Sequence, residues 1–277
     1  MRSGICLLAA VLGVSATAVA NPIGIGYVAA SGGTLYKIDL SNAAVLDTQT
    51  MGRTALSLAL DSNGTLWGAF FIGSSTFQLG TIDPTNGAIT YSPSTFTGIL
   101  DGVYGLAFDD TDNLFLMDGT AIYSMNQSTG AISGTYASCD IGGGAVGLGF
   151  GRDGQAWMAA STQLQEAPQN GCGTFGGSVP GGSGLDQIQQ IANSGAVFYG
   201  VTWAGGSAAS AELVSFDGTT FSSTPSLTVL GSLPSTSAAI AVPFVAPASV
   251  PEPGSLGLLA VGGALLVGAK RAARKTE

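Results

Sequence analysis

The sequence predicts an all-β domain with the architecture of a five-bladed β-propeller. One pattern of short strands recurs five times along the chain, with a period of 42–49 residues. Residues typical of tight turns separate these strands, and residues 21–247 contain no helix-length segment with a 3.6-residue apolar period. A unit of this length with four short strands has the size of a propeller blade.

Each unit contains a strand that begins with an apolar and an aromatic residue, followed by a second strand that ends near an Ile-Asp pair in the clearest copies. One apolar residue of the second strand aligns in all five units: Leu35, Leu79, Ile122, Leu164 and Leu213, at spacings of 44, 43, 42 and 49 residues. A similar strand precedes three of the units, at residues 58–61, 106–109 and 148–151. The repeat therefore predicts a series of antiparallel hairpins.

The two ends of the repeat region complement each other. The chain enters at the second strand of a unit, residues 24–30, and leaves with residues 238–242, which have the pattern of the missing first strand. Pairing of these two strands would close the ring without a free sheet edge at the junction. The alternatives are a β-sandwich and a six-bladed propeller with a strand hidden in residues 171–184. We expect that stretch to be a long surface loop, because it has too many glycines for a strand.

Aspartates recur with the units, as Asp39, Asp61, Asp83 and Asp109. This repetition predicts a structural role, because every hairpin needs a turn cap, whereas a catalytic site needs one asymmetric set of groups.

The Leu-Ala-Phe-Asp run at residues 106–109, the Gly-x-Leu-Trp run at 64–67 and the Ile-Asp pair before the turn at 84–87 resemble blades of the NHL, streptogramin-lyase and gluconolactonase-like propellers. Gluconolactonase-like enzymes hold a metal through acidic and amide side chains at the ring centre. No Glu or Asn of this sequence matches that set, so the resemblance implies the fold and not the activity.

Residues 1–20 have the features of a secretory signal peptide. Arg2 supplies a short positive region, residues 5–14 are apolar, and Ala18 and Ala20 form a small-x-small cleavage site. We therefore assign residues 21–247 to the exported domain and residues 248–277 to a C-terminal tail.

The tail has three parts in a fixed order. It begins with a proline-bracketed motif made of Val250, Pro251, Glu252 and Pro253. An apolar segment at 256–269 follows, and then the basic residues Lys270, Arg271, Arg274 and Lys275. The prolines keep the motif extended, the apolar segment predicts a short transmembrane helix, and the basic residues favour the cytoplasmic side.

This tail resembles the PEP-CTERM sorting signal of Gram-negative bacteria. The resemblance implies cleavage near the Pro-Glu-Pro motif by an exosortase-type membrane protease. It also implies a transient anchor in the inner membrane, followed by display on the outer surface or release. Proteins with this signal are associated with bacteria that produce exopolysaccharide, which makes matrix polysaccharide the natural partner. A C-terminal anchor that is never cut is the alternative.

Charge and composition exclude several classes of function. Residues 21–247 contain fifteen acidic residues and only three basic ones, Lys37, Arg53 and Arg152, for a net charge of −12. Such a surface repels phosphate backbones, so we expect no binding to nucleic acid. The chain has no histidine, which excludes a histidine-based catalytic triad and any histidine-ligated zinc or iron site.

Three groups of residues remain as candidates for a site. Asp109, Asp110 and Asp112 are close enough in sequence to chelate Ca²⁺, although a hairpin turn rich in Asp and Asn is the favoured interpretation. Cys139 and Cys172 permit one disulfide in an exported chain, or are two separate buried thiols.

Aromatic residues are the third group. Trp67 and Trp157 occupy the same position in two units and are expected in the core. Trp203 and Tyr199 are candidates for stacking on sugar rings, with burial in the core again the favoured interpretation.

The sequence therefore supports a non-enzymatic, surface-sorted binding or scaffolding protein, without a cofactor, in the exopolysaccharide matrix. The alternative is a secreted propeller hydrolase, either a lactonase or a sugar-acting enzyme, that uses carboxylates and a divalent cation such as Ca²⁺.

Overall fold

The computed structural model describes residues 24–99, 102–138, 145–151, 154–160, 163–169, 175–178, 185–194, 197–204, 211–217, 228–235 and 238–243. These residues form twenty strands in five four-stranded antiparallel sheets, which we call blades 1 to 5.

From the innermost to the outermost strand, blade 1 consists of β20 (Ala238–Ala241), β1 (Ile25–Ala30), β2 (Thr34–Asp39) and β3 (Val45–Thr50). Blade 2 consists of β4 (Ala55–Leu60), β5 (Leu66–Gly73), β6 (Thr76–Ile82) and β7 (Ile89–Phe96). Blade 3 consists of β8 (Gly105–Phe108), β9 (Leu114–Met117), β10 (Ala121–Met125) and β11 (Ile132–Ser138). Blade 4 consists of β12 (Ala145–Phe150), β13 (Ala156–Ala160), β14 (Gln163–Ala167) and β15 (Phe175–Ser178). Blade 5 consists of β16 (Leu185–Ser194), β17 (Val197–Ala204), β18 (Ala211–Asp217) and β19 (Thr228–Leu233).

The innermost strands form a closed ring. Strand β4 contacts β20 and β8, β12 contacts β8 and β16, and β16 contacts β20. In blade 1, β20 pairs with β1 so that Ile240 lies opposite Val28. The five blades and the pairing of the terminal strands are thus confirmed. Neither a β-sandwich nor a six-bladed ring describes the molecule.

Hydrophobic side chains fill the seams between neighbouring blades. Phe70 packs between blades 1 and 2, Leu116 between blades 2 and 3, Phe150 between blades 3 and 4, and Val201 between blades 5 and 1. Each is fully buried or nearly so, which stabilises the fold by about 1.5–3 kcal/mol per large side chain. The core of this protein therefore lies between its sheets.

The repeated aspartates cap hairpin turns, as the sequence predicts. Asp61 Oδ1 accepts hydrogen bonds from the backbone amides of Asn63 at 3.0 Å and Thr65 at 2.7 Å. Asp39, Asp83 and Asp109 accept equivalent bonds from the amides two residues later. Gly64 completes the turn that Asp61 caps, with a φ of 81°, which glycine adopts without steric cost.

Two strands differ from the sequence-based expectation. Residues 175–178 form β15, so the glycine-rich stretch 171–184 is not entirely a loop. As the outermost strand, β15 pairs on one side only, and that position tolerates glycines that a central strand would not. The inner strand of blade 5, β16, was not predicted. Two register shifts in its pairing with β17 interrupt the alternation by which a strand is recognised.

Candidate functional site

The centre of the ring is narrow. Its cavity is only about 20 Å³ and is lined mainly by apolar side chains of the inner strands, among them Leu58, Leu106, Phe108, Phe150 and Val242. Small-molecule sites usually have volumes of about 300–1,000 Å³. The cavity bounded by these residues is therefore far smaller than a typical ligand site.

A much larger cavity, of about 430 Å³, lies between blades 3 and 4. It is at the end of the ring where the first strand of each blade turns into the second. The polar residues of its described lining are Asp109, Asn113, Ser124, Ser133, Gln155 and Gln169. Strands of two blades and the turns next to them supply this lining.

Aromatic rings form the inner wall of this cavity. Phe115 and Tyr136 both line it and meet edge to face, with ring centroids 5.1 Å apart. Phe150 of blade 4 packs behind them. The centroid of its ring lies 4.7 Å from that of Phe115 and 5.8 Å from that of Tyr136. This three-ring cluster joins the two blades and fixes the position of the tyrosine.

The equivalent seam between blades 2 and 3 has a larger side chain at the matching position. Trp67 lies opposite Ala59 in blade 2, as Phe115 lies opposite Ala107 in blade 3. The Trp67 indole packs against Phe108 with ring centroids 6.4 Å apart, and its buried Nε1–H has no hydrogen-bond partner among the described residues. The phenyl ring of Phe115 occupies less space, and the cavity opens beside it.

Asp109 and Asn113 shape the rim of the cavity. Asp109 Oδ1 accepts hydrogen bonds from the amide of Thr111 at 3.0 Å and that of Asn113 at 2.8 Å. The Asn113 side-chain amide donates to Asp109 Oδ2 at 2.9 Å and to Thr111 Oγ1 at 2.7 Å. The Asp109 carboxylate thus stabilises the turn. The two hydrogen bonds of the Asn113 side-chain amide fix its orientation.

The three aspartates that we considered for Ca²⁺ have different surroundings. Asp109 caps its own turn, Asp110 is exposed, and Asp112 accepts hydrogen bonds from Ser62 of blade 2. Within the described residues, no three His, Cys, Asp or Glu side chains come together as a metal-binding group. The turn interpretation accounts for the contacts of Asp109, and a calcium site here stays a prediction.

A buried carboxylate that the sequence analysis missed lies at the opposite end of blade 3. Asp118 is fully buried and accepts hydrogen bonds from Ala121 N at 2.8 Å, Thr120 N at 2.9 Å and the Tyr123 hydroxyl at 3.0 Å. Burial, together with the hydrogen bond to Asp118, raises the pKa of Tyr123 to about 12. The Asp-Gly pair at 118–119, a hairpin signal, could have pointed to this residue.

The tryptophans predicted for the core are buried. Trp67 is 9% and Trp157 is 7% exposed, which confirms the core assignment for both. Tyr199 is half-buried in the seam between blades 5 and 1, and burial raises the pKa of its hydroxyl. The side chain of Trp203 lies outside the described part of the structure.

The predicted processing sites also lie outside the described residues. They comprise the signal cleavage site at Ala18 and Ala20, the motif residues Val250 to Pro253, and the basic residues Lys270, Arg271, Arg274 and Lys275. The two candidates for a disulfide, Cys139 and Cys172, lie outside the described residues as well. Among the residues that are described, no helix is long and apolar enough to span a membrane.

Comparison with protein families bears directly on the tail. Residues 249–275 match the family described as the PEP-CTERM protein-sorting motif. The chain thus carries this motif behind a propeller body, and the motif implies export, sorting to the cell envelope and processing by an exosortase, a membrane protease. No curated protein matches the chain in sequence.

Solved structures resemble the body in fold. A protein from work on the de novo evolutionary emergence of a symmetrical protein superposes with a TM-score of 0.52 at 13% identity, over 80% of this chain and 100% of that one. PQQ-bound aldose sugar dehydrogenase from Streptomyces coelicolor has a TM-score of 0.49 at 14% identity, over 75% of this chain and 78% of that one. Virginiamycin B lyase from Staphylococcus aureus has a TM-score of 0.41 at 13% identity, over 73% of this chain and 68% of that one. For the first of these structures, the likeness concerns the fold alone.

Proposed function

We propose that this chain is a non-enzymatic binding protein of the extracellular polysaccharide matrix, delivered to the cell surface by its C-terminal tail. The observation that carries the proposal is the sorting motif at residues 249–275, joined to a propeller body. A closed ring without a free inner edge is a stable scaffold for a domain displayed outside the cell.

The use of the carboxylates supports a binding role rather than catalysis. Asp39, Asp61, Asp83 and Asp109 each accept hydrogen bonds within their own turns. The described residues that line the small cavity at the ring centre are apolar or glycine. The polar groups that surround a ligand-sized space lie instead in the seam between blades 3 and 4.

The charge of the body favours a particular class of polysaccharide. With a net charge of −12 over residues 21–247, the domain repels polyanions at moderate ionic strength. A neutral matrix polysaccharide is therefore the expected partner.

Sorting is tested by substituting the motif in the producing bacterium. We expect the full chain with Pro251→Ala and Glu252→Ala to remain unprocessed and to accumulate in the inner-membrane fraction. Pro247→Ala is the matched control, since it removes a proline just outside the matched residues, and it should leave sorting unchanged. Normal surface display of the double variant would overturn the sorting part of the proposal.

Binding is tested with exopolysaccharide isolated from the same bacterium. The surface protein should co-sediment with this material, to the same extent with and without a chelator. A lack of co-sedimentation would overturn the matrix role. Hydrolysis of the polysaccharide or of a sugar lactone that stops on addition of chelator would support the enzymatic alternative instead.

A further inference from the structure

We propose that the cavity between blades 3 and 4 binds one neutral sugar unit of the matrix polysaccharide. This inference rests on the proposed function and deepens it, because it gives the binding activity a site and a ligand class. The cavity, of about 430 Å³, falls in the range of about 300–1,000 Å³ that is usual for small-molecule sites.

The polar groups of the cavity are held in place before any ligand arrives. The Asn113 amide is fixed by its bonds to Asp109 and Thr111. The Ser133 hydroxyl donates to the carbonyl oxygen of Ser124 at 3.0 Å, which orients its oxygen as an acceptor. Together with Gln155 and Gln169 on blade 4, these groups offer donors and acceptors from two sides. A ligand rich in hydroxyl groups suits such a lining.

The aromatic wall supplies the complementary apolar contact. A sugar ring has hydroxyls at its edge and C–H groups on its faces, and an aromatic ring with a polar tip can serve both. Tyr136 has this character, and its packing against Phe115 and Phe150 keeps it from collapsing into the space. Polar side chains around an aromatic wall therefore match the surface of a saccharide.

Charge selects a neutral sugar over an acidic one. Among the described residues, the lining contains the Asp109 carboxylate and no Lys or Arg. Asp110 is exposed on the same turn. A uronic acid or a phosphorylated sugar would place a second negative charge near these carboxylates, which is unfavourable.

The cavity can be closed with a side chain that this protein already uses. Phe115→Trp copies the residue of the equivalent position in blade 2, where Trp67 fills the seam. Ser133→Trp blocks the cavity from the exposed rim, without any change in the core. Thr135→Trp is the matched control, because Thr135 is exposed on the same strand and does not line the cavity.

The test uses NMR titration of the protein with glucose, galactose and mannose, with glucuronate as the acidic comparison, followed by co-sedimentation with the isolated exopolysaccharide. We expect at least one neutral sugar to shift the amide signals of Asn113, Ser133 and Tyr136. Phe115→Trp and Ser133→Trp should each weaken binding by about tenfold or more, whereas Thr135→Trp should bind as the unmodified protein does.

Two results would overturn the assignment. One is unmodified affinity in a Ser133→Trp variant whose unfolding curve shows it to be folded. The other is glucuronate binding as tightly as the neutral sugars. If the polysaccharide still binds both blocked variants, the cavity is not the site and the matrix role survives. If the unmodified protein binds no polysaccharide at all, the proposed function fails together with the site.

Discussion

The carboxylate of Asp112 in blade 3 accepts hydrogen bonds from Ser62 in blade 2, from the backbone amide at 2.9 Å and from the hydroxyl. Both residues lie in the turn between the first and second strands of their blades, so the pair fastens two neighbouring turns. Asp112 reaches Ser62 from a backbone with a φ of 63°, in the left-handed region that Asp tolerates better than most residues.

Removal of this link should loosen the seam between blades 2 and 3. Asp112→Gly deletes the carboxylate and keeps the positive φ without strain, so we expect the free energy of unfolding to fall by about 1–2 kcal/mol. Asp110→Ala, an exposed neighbour, should change it by less than about 0.5 kcal/mol. Urea denaturation measures both values. Equal values for the two variants would show that the link does not contribute to stability.

Glycine at position 87 is required by a neighbouring blade as well as by its own turn. A Cβ at Gly87 would lie 2.5 Å from the carbonyl oxygen of Thr50 in blade 1, whereas a Cβ at Gly64 would meet nothing within 4 Å. Both glycines have positive φ, so alanine at either site costs about 1–2 kcal/mol. Gly87→Ala should cost about 1–3 kcal/mol more than Gly64→Ala, because the carbonyl is a backbone atom of a hydrogen-bonded strand and cannot move aside as a flexible side chain can. Thermal unfolding of the two variants gives this difference directly, and equal losses would contradict the close contact.

The hydrogen bond from Tyr123 to Asp118 should appear in the alkaline stability of the protein. The pKa of Tyr123 is raised from 10.0 to about 12 in the folded state, first by burial and then by the bond to Asp118. A raised pKa stabilises the fold below the unfolded value of 10.0, and this stabilisation is lost as the pH rises toward 12.

The Tyr123→Phe variant tests this account. It should be less stable than the unmodified protein at neutral pH, by about 1–3 kcal/mol, because Asp118 loses a donor. The difference between the two should shrink as the pH rises from 10.0 toward 12. Tyr91→Phe, on the surface of blade 2, should cost little at any of these pH values. A difference that does not vary with pH would contradict the account.

The contribution of Asp83 to stability should depend on pH in the opposite direction to that of Tyr123. The Thr85 hydroxyl, followed by the Thr85 backbone amide, lowers the pKa of Asp83 below 3.8. A lowered pKa stabilises the fold above the unfolded value, and this contribution is lost as the pH falls through the folded value. Thr85→Ala should therefore move the Asp83 pKa up toward 3.8, while Thr90→Ala, another exposed threonine, should not. A carbon-13 titration of the Asp83 carboxyl distinguishes these outcomes.

Much of the fold could be predicted because the repeat carries information at several levels. The alignment of Leu35 with Leu79 and Ile122, and the paired strands at 24–30 and 238–242, together determine the blade number and the closure. The recurrence of Asp39, Asp61, Asp83 and Asp109 was enough to predict turn caps instead of a catalytic set, and their hydrogen bonds confirm it.

The features that escaped prediction depend on contacts between distant residues or on broken periodicity. Strand β16 is interrupted by register shifts, and the glycines of β15 are tolerated only because it is outermost in its sheet. The cavity lies beside a phenyl ring at 115, at the position where another blade has an indole at 67. This cavity cannot be recognised in the sequence of one blade, because residues of two neighbouring blades line it.

The most direct test of the account is the intact mass of the native protein together with its cell fraction. We predict a species that begins at Asn21 and ends near Pro251, on the outer surface or released from the cell. A species that retains residues up to Glu277 in the inner membrane would contradict it, because the propeller would then be a permanently anchored domain and not a sorted component of the matrix.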